Sequence, residues 1–267
     1  YETDMLDVLQ DEAARCGQAA KAHLKIDTGM GRIGVRDMDA LGALLAHWRE
    51  NCPQVHMTGI FTHFCAADSD AAFTEMQNAR FAAALDAVRA AGFSPVAHAA
   101  ATTAMMDPRY QYDYVRAGIG LYGTLLPELD GKLKYAQTLA TRPVRIERIG
   151  MGESIGYSRS FYAPRDMRVI TVPIGYGDGY PRALSNRASA LVCGRRARVV
   201  GNVCMDMLML DVTDIPQADM NSEVVLMGAQ GAERITPDEL AEIAGTIPYE
   251  IMLGFSQRVP RVYERMN

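Results

Sequence analysis

The sequence predicts an α/β half followed by a mostly antiparallel β half. Two observations carry this. Up to about residue 125, short apolar runs alternate with amphipathic segments, and the runs start roughly every 25–40 residues, the rhythm of βα units. Beyond that point the pattern changes to short β-rich runs separated by Gly, Pro, Asp and Asn.

The elements follow in order. "DMLDVLQDEAARCGQ" (4–18) reads as helix, with Leu6, Leu9 and Ala13 along one face. "AHLKID" (22–27) reads as a strand, and "DALGALLAHWRE" (39–50) as a helix with Leu41, Leu44, Leu45 and Trp48 on its apolar stripe. "MTGIFTHF" (57–64) is a second strand. "FTEMQNARFAAALDAVRAAG" (73–92) is a helix that buries Phe81, Ala84, Leu85 and Val88 and stops at Gly92. "PVAHAA" (95–100) and "GIGLYG" (118–123) complete four strands. Four are too few to close an eight-stranded barrel, and an open doubly wound sheet suits the same count. No G-x-G-x-x-G opens a helix, so a dinucleotide site has no support.

"LPELDGKLK" (126–134) reads as a turn-rich joint. The β runs after it are 143–150, 167–175, 188–194, 196–201, 207–213 and 223–228, with a helix at 237–245 whose Pro237 suits a first turn.

Composition narrows the function classes. The chain has 267 residues, 49% hydrophobic and 22% charged, with a net charge of -5. That excludes a dominant basic face, so neither nucleic acid nor an anionic membrane is an expected partner. No apolar stretch approaches the roughly 20 residues of a membrane span, and no signal-peptide pattern is recognised. The cysteines, Cys16, Cys52, Cys65, Cys193 and Cys204, form no C-x-x-C pair. A reducing cytosol without disulfides or a zinc site is expected, hence a cytoplasmic protein with no metal.

Functional groups gather at the C-terminal ends of the first-half strands, where parallel α/β folds build sites. "HLKIDTGMGR" carries Lys25, Asp27 and Arg32. "THFCAAD" carries His63. "AHAAATTA" carries His98, Thr102 and Thr103, and "VRAGIGLYG" places Arg116 before an expected strand. Taken singly, each has a plain structural use: His98 as a satisfied core histidine, the glycines as turn geometry, Arg116 as a salt bridge. In the second half "SIGYSRSF", "IGYGDGYPR", "NVCMDM" and "IPYEIM" set tyrosines and an aspartate among turn residues. Aromatic packing at the domain joint is the plain reading of any one tyrosine, and Met205 and Asp206 read equally as a strand followed by a turn.

Together and in order, "HLKIDTGMGR", "THFCAAD", "VRAGIGLYG", "GYSRSF", "GYGDGYPR", "VCMDM" and "PYEI…RVPR" resemble the alanine racemase family, from near residue 5 to the end. The resemblance implies a partial (β/α)8 TIM-type barrel over 1–131, the C-terminal part of a barrel that binds pyridoxal 5′-phosphate (PLP). A mostly antiparallel β domain over 132–267 follows. It further implies a head-to-tail homodimer and an isomerase that makes D-alanine for cell-wall peptidoglycan by two-base proton transfer. The family's PLP-bearing lysine sits in a motif like "KANAYGHG", and these residues contain none. The expectation is a chain lacking the family's N-terminal part and inactive alone.

The resemblance also assigns residues. Tyr157 is the second catalytic base, acting into the partner's barrel. A free phenol has a pKa of about 10, so such a base needs positive charge nearby, and Arg32 and His63 are expected to supply it. Arg32 also meets the substrate carboxylate, and Lys25 is a possible carbamyl-lysine that orients it. Arg116 faces the pyridine nitrogen. Thr102, Gly118, Ile119 and Tyr249 cradle the phosphate. Tyr176, Met205 and Asp206 bind and gate a small substrate. Ala101-Thr102 replaces the usual Asn-Ser, keeping the hydroxyl and losing the amide, and Leu253 replaces a common cysteine. A serine or broad-specificity racemase, and a non-catalytic dimerisation scaffold, remain alternatives. A PLP-dependent decarboxylase of basic amino acids is a further one, although those enzymes usually meet the ring nitrogen with a carboxylate.

Overall fold

The computed structural model describes residues 1–124 and 133–264, which form two compact units, Tyr1–Gly120 and Leu121–Asn267. The expected joint at 126–134, with its boundary between 131 and 132, falls largely outside the described residues.

The first unit runs α1 (Thr3–Cys16), β1 (Ala20–Lys25), α2 (Met38–Asn51), β2 (Val55–Phe61), α3 (Ala71–Ala90), β3 (Val96–Ala101) and β4 (Tyr114–Arg116). The helices start where side chains satisfy free backbone N–H groups. Asp37 accepts from Ala40 N at 2.7 Å and Asp70 from Phe73 N at 2.9 Å. Gly17 ends α1 with a left-handed φ of 63°. Leu41, Leu44, Leu45 and Trp48 of α2 and Phe81, Ala84, Leu85 and Val88 of α3 are buried as their spacing predicts. Leu9 of α1 differs: it is 39% exposed, and Leu6 and Ala13 alone carry that face. His47 Nε2 donates to Asp7 Oδ1 at 2.6 Å and ties α2 to α1.

The four strands are parallel and ordered β1-β2-β3-β4. A doubly wound sheet reverses its order at a switch point. This sheet does not, so its winding is that of a barrel segment. One expected strand is absent. Residues 118–123 do not extend; Ile119–Tyr122 form a 3₁₀ turn, and the fourth strand is Tyr114–Arg116. The reason is local: the backbone N–H groups of Gly118 and Gly120 both point at the Thr102 hydroxyl, not at a neighbouring strand. Arg116 therefore ends a strand instead of preceding one.

The second unit holds β5 (Leu139–Thr141), β6 (Arg145–Ile149), β7 (Ser154–Ile155), β8 (Phe161–Tyr162), β9 (Met167–Val172), β10 (Ser189–Val192), β11 (Arg195–Val199), β12 (Leu208–Asp211), β13 (Val224–Gln230) and β14 (Glu233–Ile235). Helices α4 (Pro237–Ala244) and α5 (Pro248–Gly254) follow. Its main sheet is antiparallel, ordered β14-β13-β10-β11-β12-β9-β6 with β5 on β13. All six expected β runs lie on it. Alternating residues such as Ile170, Val172, Leu191, Leu208, Leu210 and Leu226 bury completely or nearly so, each contributing roughly 1.5–3 kcal/mol of apolar burial.

Tyr180 lies in this core, fully buried, and its hydroxyl has no hydrogen-bond partner among the described residues. Removing an unsatisfied buried hydroxyl relieves a desolvation penalty of about 1–3 kcal/mol. Tyr180→Phe is therefore expected to leave the melting temperature unchanged or to raise it. A clear fall in thermal unfolding would reveal a partner for that oxygen.

Candidate active site

Parallel pairing puts Lys25 opposite Phe61, Phe61 opposite His98, and His98 opposite Tyr114. Register partners on neighbouring strands share a face, so one row of side chains crosses the sheet. The Phe61 ring stacks on His98 at 5.0 Å, with Lys25 Nζ 5.3 Å and the Arg116 guanidinium 5.5 Å from its centroid. The opposite face, with Leu24, Ile26, Ile60, Ala97 and Ala99, packs against the helices.

Arg116 is the hub. Its Nη1 donates to His98 Nδ1 at 2.8 Å and His98 O at 3.1 Å. Its Nη2 donates to Thr62 O at 2.8 Å, Ala99 O at 2.9 Å and His63 Nδ1 at 3.1 Å. Every acceptor is neutral, and no carboxylate pairs with it among the described residues. An arginine can only donate, so both histidines present a bare Nδ1 and carry their proton on Nε2. Burial, Arg116 and His23 push the His98 pKa down to about 4. Burial, Arg116, Arg32 and Lys25 push that of His63 down as well. His63 is thus an N–H donor at neutral pH and lends no positive charge, contrary to the expectation for it.

Lys25 is buried, with Nζ donating to Ile26 O at 2.8 Å. Burial holds its amine down to about 8; Asp27 opposes this, and Arg116 and Arg32 reinforce it. Lys25 and Arg32 share no hydrogen bond among the described residues. Arg32 instead opens onto a cleft of about 890 Å³ lined also by Asp27, Gly31 and Arg36. That lining does not include His63 or Arg116.

Asp27 organises the turn between them, a role composition and spacing did not suggest. Its carboxylate accepts from Gly29 N at 3.0 Å, Gly31 N at 2.9 Å and Arg36 Nε at 3.0 Å. Behind the turn, Gln77 of α3 donates to Thr28 Oγ1 at 3.1 Å and accepts from Cys65 N at 3.0 Å, joining the loops that carry Arg32 and His63.

Thr102 is buried, and its oxygen accepts from Gly118 N at 3.3 Å and Gly120 N at 3.2 Å. Its own proton has no acceptor among the described residues. Ile119 is buried beside it. With both amides spent on its oxygen, the free hydroxyl proton is the donor this turn has left for an anion.

In the second unit, Tyr157, Met205 and Asp206 line one cleft of about 610 Å³. Tyr157 is 71% exposed. It precedes two residues held in the left-handed region, Ser158 at φ 58° and Arg159 at φ 46°. Such conformations persist only where surroundings impose them, and they concentrate at functional sites. Asn202 Nδ2 contributes by donating to Tyr157 O at 2.9 Å. Tyr176 N and Gly177 N donate to Cys204 O at 3.0 Å and Met205 O at 2.8 Å, bringing Tyr176 beside Met205. A Cβ on Gly175 would overlap those same carbonyls, so only glycine allows the approach. Arg258 bridges Asp206 at 2.7 Å and Asp178 at 3.4 Å. Tyr249 stands on α5, 40% exposed.

Comparisons with known proteins identify the family. Residues 1–126 match the family model "Alanine racemase, N-terminal domain" and residues 136–263 match "Alanine racemase, C-terminal domain". The chain is 42% identical to the alanine racemase of Symbiobacterium thermophilum, over 98% of this chain and 71% of that protein. The chain belongs to the alanine racemase family. The alanine racemase of Geobacter sulfurreducens shares the same identity and coverage. Among solved structures, alanine racemase from Streptomyces coelicolor A3(2) superposes with a TM-score of 0.92 at 30% identity, covering 97% of this chain and 70% of that one. The Bacillus anthracis alanine racemase with bound L-Ala-P superposes at 0.86 and 31% identity, covering 99% of this chain and 69% of that one. The family's members are isomerases, and its fold is the barrel followed by the β domain seen here.

The turn beneath Arg32 gives a test with a definite sign. Burial disfavours the Asp27 carboxylate, yet the Gly31 and Gly29 amides and Arg36 hold its pKa at about 2, below the ordinary 3.8. Its contribution is therefore complete above the unfolded value and disappears as pH falls through about 2. Asp27→Asn is expected to cost about 1–3 kcal/mol near neutrality, measured by urea unfolding. That difference should shrink toward zero as the pH approaches 2; a difference independent of pH would refute the clamp.

Proposed function

We propose that the protein interconverts L- and D-alanine with PLP, as a head-to-tail homodimer, and so supplies D-alanine for peptidoglycan. The observation that supports the reading most is Arg116, a cation held wholly by neutral acceptors at the end of a barrel strand.

The donor set fits PLP. Thr102 has a proton to give to a phosphate oxygen at the 118–120 turn, where Gly118 and Ile119 would complete the cradle. Arg116 Nε has no acceptor among the described residues and suits a ring nitrogen. An arginine does not usefully release its proton, so the nitrogen it meets stays unprotonated. When bound, PLP withdraws electrons from the Cα–H bond of the substrate, and the unprotonated nitrogen restrains that withdrawal.

The chain's own residues do the rest. Tyr157 is the base that takes or returns a proton on one face of Cα, in the barrel of the partner protomer. Arg32 holds the substrate carboxylate by charge-assisted hydrogen bonds. His63 presents its Nε2–H as a neutral donor. Met205, Asp206 and Tyr176 bound the substrate region, which suits a side chain as small as alanine's. Lys25 near pH 8 is substantially an uncharged amine, the form that captures carbon dioxide. Two nearby arginines that disfavour an ammonium favour the resulting carbamate anion.

The test is racemisation of L-alanine with added PLP, followed by circular dichroism, using the whole translated product in which these residues occur. Alanine is expected to turn over faster than serine; a preference for serine would shift the reading to the broader racemase. Tyr157→Phe is expected to lower racemisation by about 10²–10⁴-fold, the usual worth of a positioned base, while solvent deuterium still enters Cα from the other face. Full racemisation by that variant would refute the role.

A separate expectation concerns Arg116. Arg116→Glu places an acid opposite the ring nitrogen and should increase side transamination, read as pyruvate released per racemisation. An unchanged partition would count against its placement.

A further inference from the structure

The helices of the first unit hold a donor set that the sheet-face chemistry does not use. Asp7 lies on α1, His47 on α2, and Cys52 caps the C-terminal end of α2. One ligand atom from each lies within 4.8 Å of the others, and no second group of three such side chains does so among the described residues. Asp7 Oδ1 stands 2.6 Å from His47 Nε2 and 3.9 Å from Cys52 Sγ. No spacing motif announces the group, since Asp7 and His47 are 40 residues apart.

The meeting has a local cause. His47 and Cys52 are five residues apart, which on a continuous helix would set them well round from each other. The helix instead stops at Asn51, and Cys52 leaves it with φ −123° and ψ 57°, ahead of Pro53. Its side chain is buried at 1% exposure, and its contact with Asp7 is long and weak. A hydrogen bond between α1 and α2 needs only Asp7 and His47. The buried sulfur behind that pair is the feature such a bond leaves unexplained.

We infer that Asp7, His47 and Cys52 form a binding site for a thiophilic divalent cation of the zinc class, which joins α1 to α2. Carboxylate, imidazole and thiolate together suit zinc, cobalt or cadmium, whereas magnesium and calcium take oxygen ligands. Such ligands surround the ion at about 2.0–2.3 Å, so they stand roughly 3–4 Å from one another. The carboxylate and the sulfur already do. The carboxylate and the imidazole must open slightly, and with side chains 51% and 26% exposed they have room at the surface. The fourth position falls to water.

The surroundings suit a cation. Burial first, then the carboxylates of Asp7 and Asp11, push the Cys52 thiol up, and a bound cation reverses that bias. On binding, Cys52 gives its proton to water and forms the sulfur–metal bond, and the His47 proton moves from Nε2 to Nδ1. Asn51 Nδ2 lies 3.3 Å from that Nδ1. With its amide turned, Asn51 accepts the proton and serves as the outer partner of the ligating imidazole. Cys52 belongs to the core that packs on the helix side of the sheet, so the inference does not rest on the reading of Arg116.

The experiment uses the whole translated product, stripped with a chelator and titrated with cobalt(II) and then with zinc chloride. The wild type is expected to take up one equivalent of cobalt at micromolar concentration. A thiolate-to-cobalt charge-transfer band and the strong d–d bands of a four-coordinate ion should appear, and zinc should displace both. Cys52→Ser should remove the charge-transfer band. His47→Gln and Asp7→Ala should each weaken uptake by at least about a hundredfold, and Asn51→Ala by about 10–100-fold, the usual worth of an outer partner. Cys16→Ser and Cys65→Ser should leave the spectrum unchanged, which separates the site from the exposed thiols. Zinc should raise the melting temperature of the wild type and not that of His47→Gln. Should Cys52→Ser fail to fold, the surface variants His47→Gln and Asp7→Ala still decide the matter.

Uptake only at millimolar metal overturns the inference. So does a charge-transfer band that survives Cys52→Ser, or an affinity unchanged in both His47→Gln and Asp7→Ala.

Discussion

The guanidinium of Arg116 sets the terms for everything around it. It is half-buried, it has no salt bridge among the described residues, and burial lowers its pKa. A buried cation is expensive unless hydrogen bonds replace its water. Here the replacement comes from carbonyls of Thr62, His98 and Ala99 and from two imidazoles. A carboxylate would have satisfied the same need with fewer groups, but it would also have neutralised the charge. Neutral acceptors solvate the arginine and leave its field intact. Burial, with that field added to it, depresses His63, His98 and Lys25 together. The cluster is one electrostatic unit, and its uncharged histidines follow from burial first and from the charged arginine beside them second.

Much of the framework was legible in the sequence, because strong periodicity survives any tertiary context. The stripes on α2 and α3 and the β runs of the second unit belong to elements that bury a whole face. Elements that bury little, or that hydrogen-bond to side chains, were harder to read. "GIGLYG" alternates like a strand, yet Thr102 claims its amides, and that hydroxyl lies 16 residues before Gly118. Helix α5 is seven residues long with only Pro248 and Ile251 buried, too short for a stripe. Leu9 fits the face of α1 by spacing, but the helix packs along a narrower line through Leu6 and Ala13.

The site divides in the same way. Motif order picked out candidate residues, but not the work that each does locally. Asp27 looked like one of several charges in a crowded turn, and geometry makes it the acceptor on which that turn closes. His63 looked like a source of positive charge, and its contact with Arg116 makes it a neutral donor. His23 offered no signal at all. Its ring meets that of His98, 75 residues away, and the enabling feature is the absence of a side chain at Gly59. Neither periodicity nor a local motif encodes such a contact; only register does.

Register is also what makes the arrangement selective. A one-residue slip between β1 and β2 would turn His23 and Lys25 to the helix-packed face and bring Leu24 and Ile26 to the site. The local irregularity in pairing at Ala22/His23 sits where the His23 ring crosses Gly59. Lys25 still meets Phe61 two residues later. The strand accommodates one bulky ring without losing the row above it. In that row the Phe61 ring centroid lies 5.3 Å from the Lys25 amine and 5.5 Å from the Arg116 guanidinium, within reach of a cation–π attraction to whichever of them is charged. Phe61 thus gives both groups an apolar, polarisable neighbour while contributing no charge to the field that Arg116 presents. An aliphatic side chain of similar volume would keep the spacing but lose the attraction. The aromatic ring at this register position is therefore part of the electrostatic design, as much as the charge beside it.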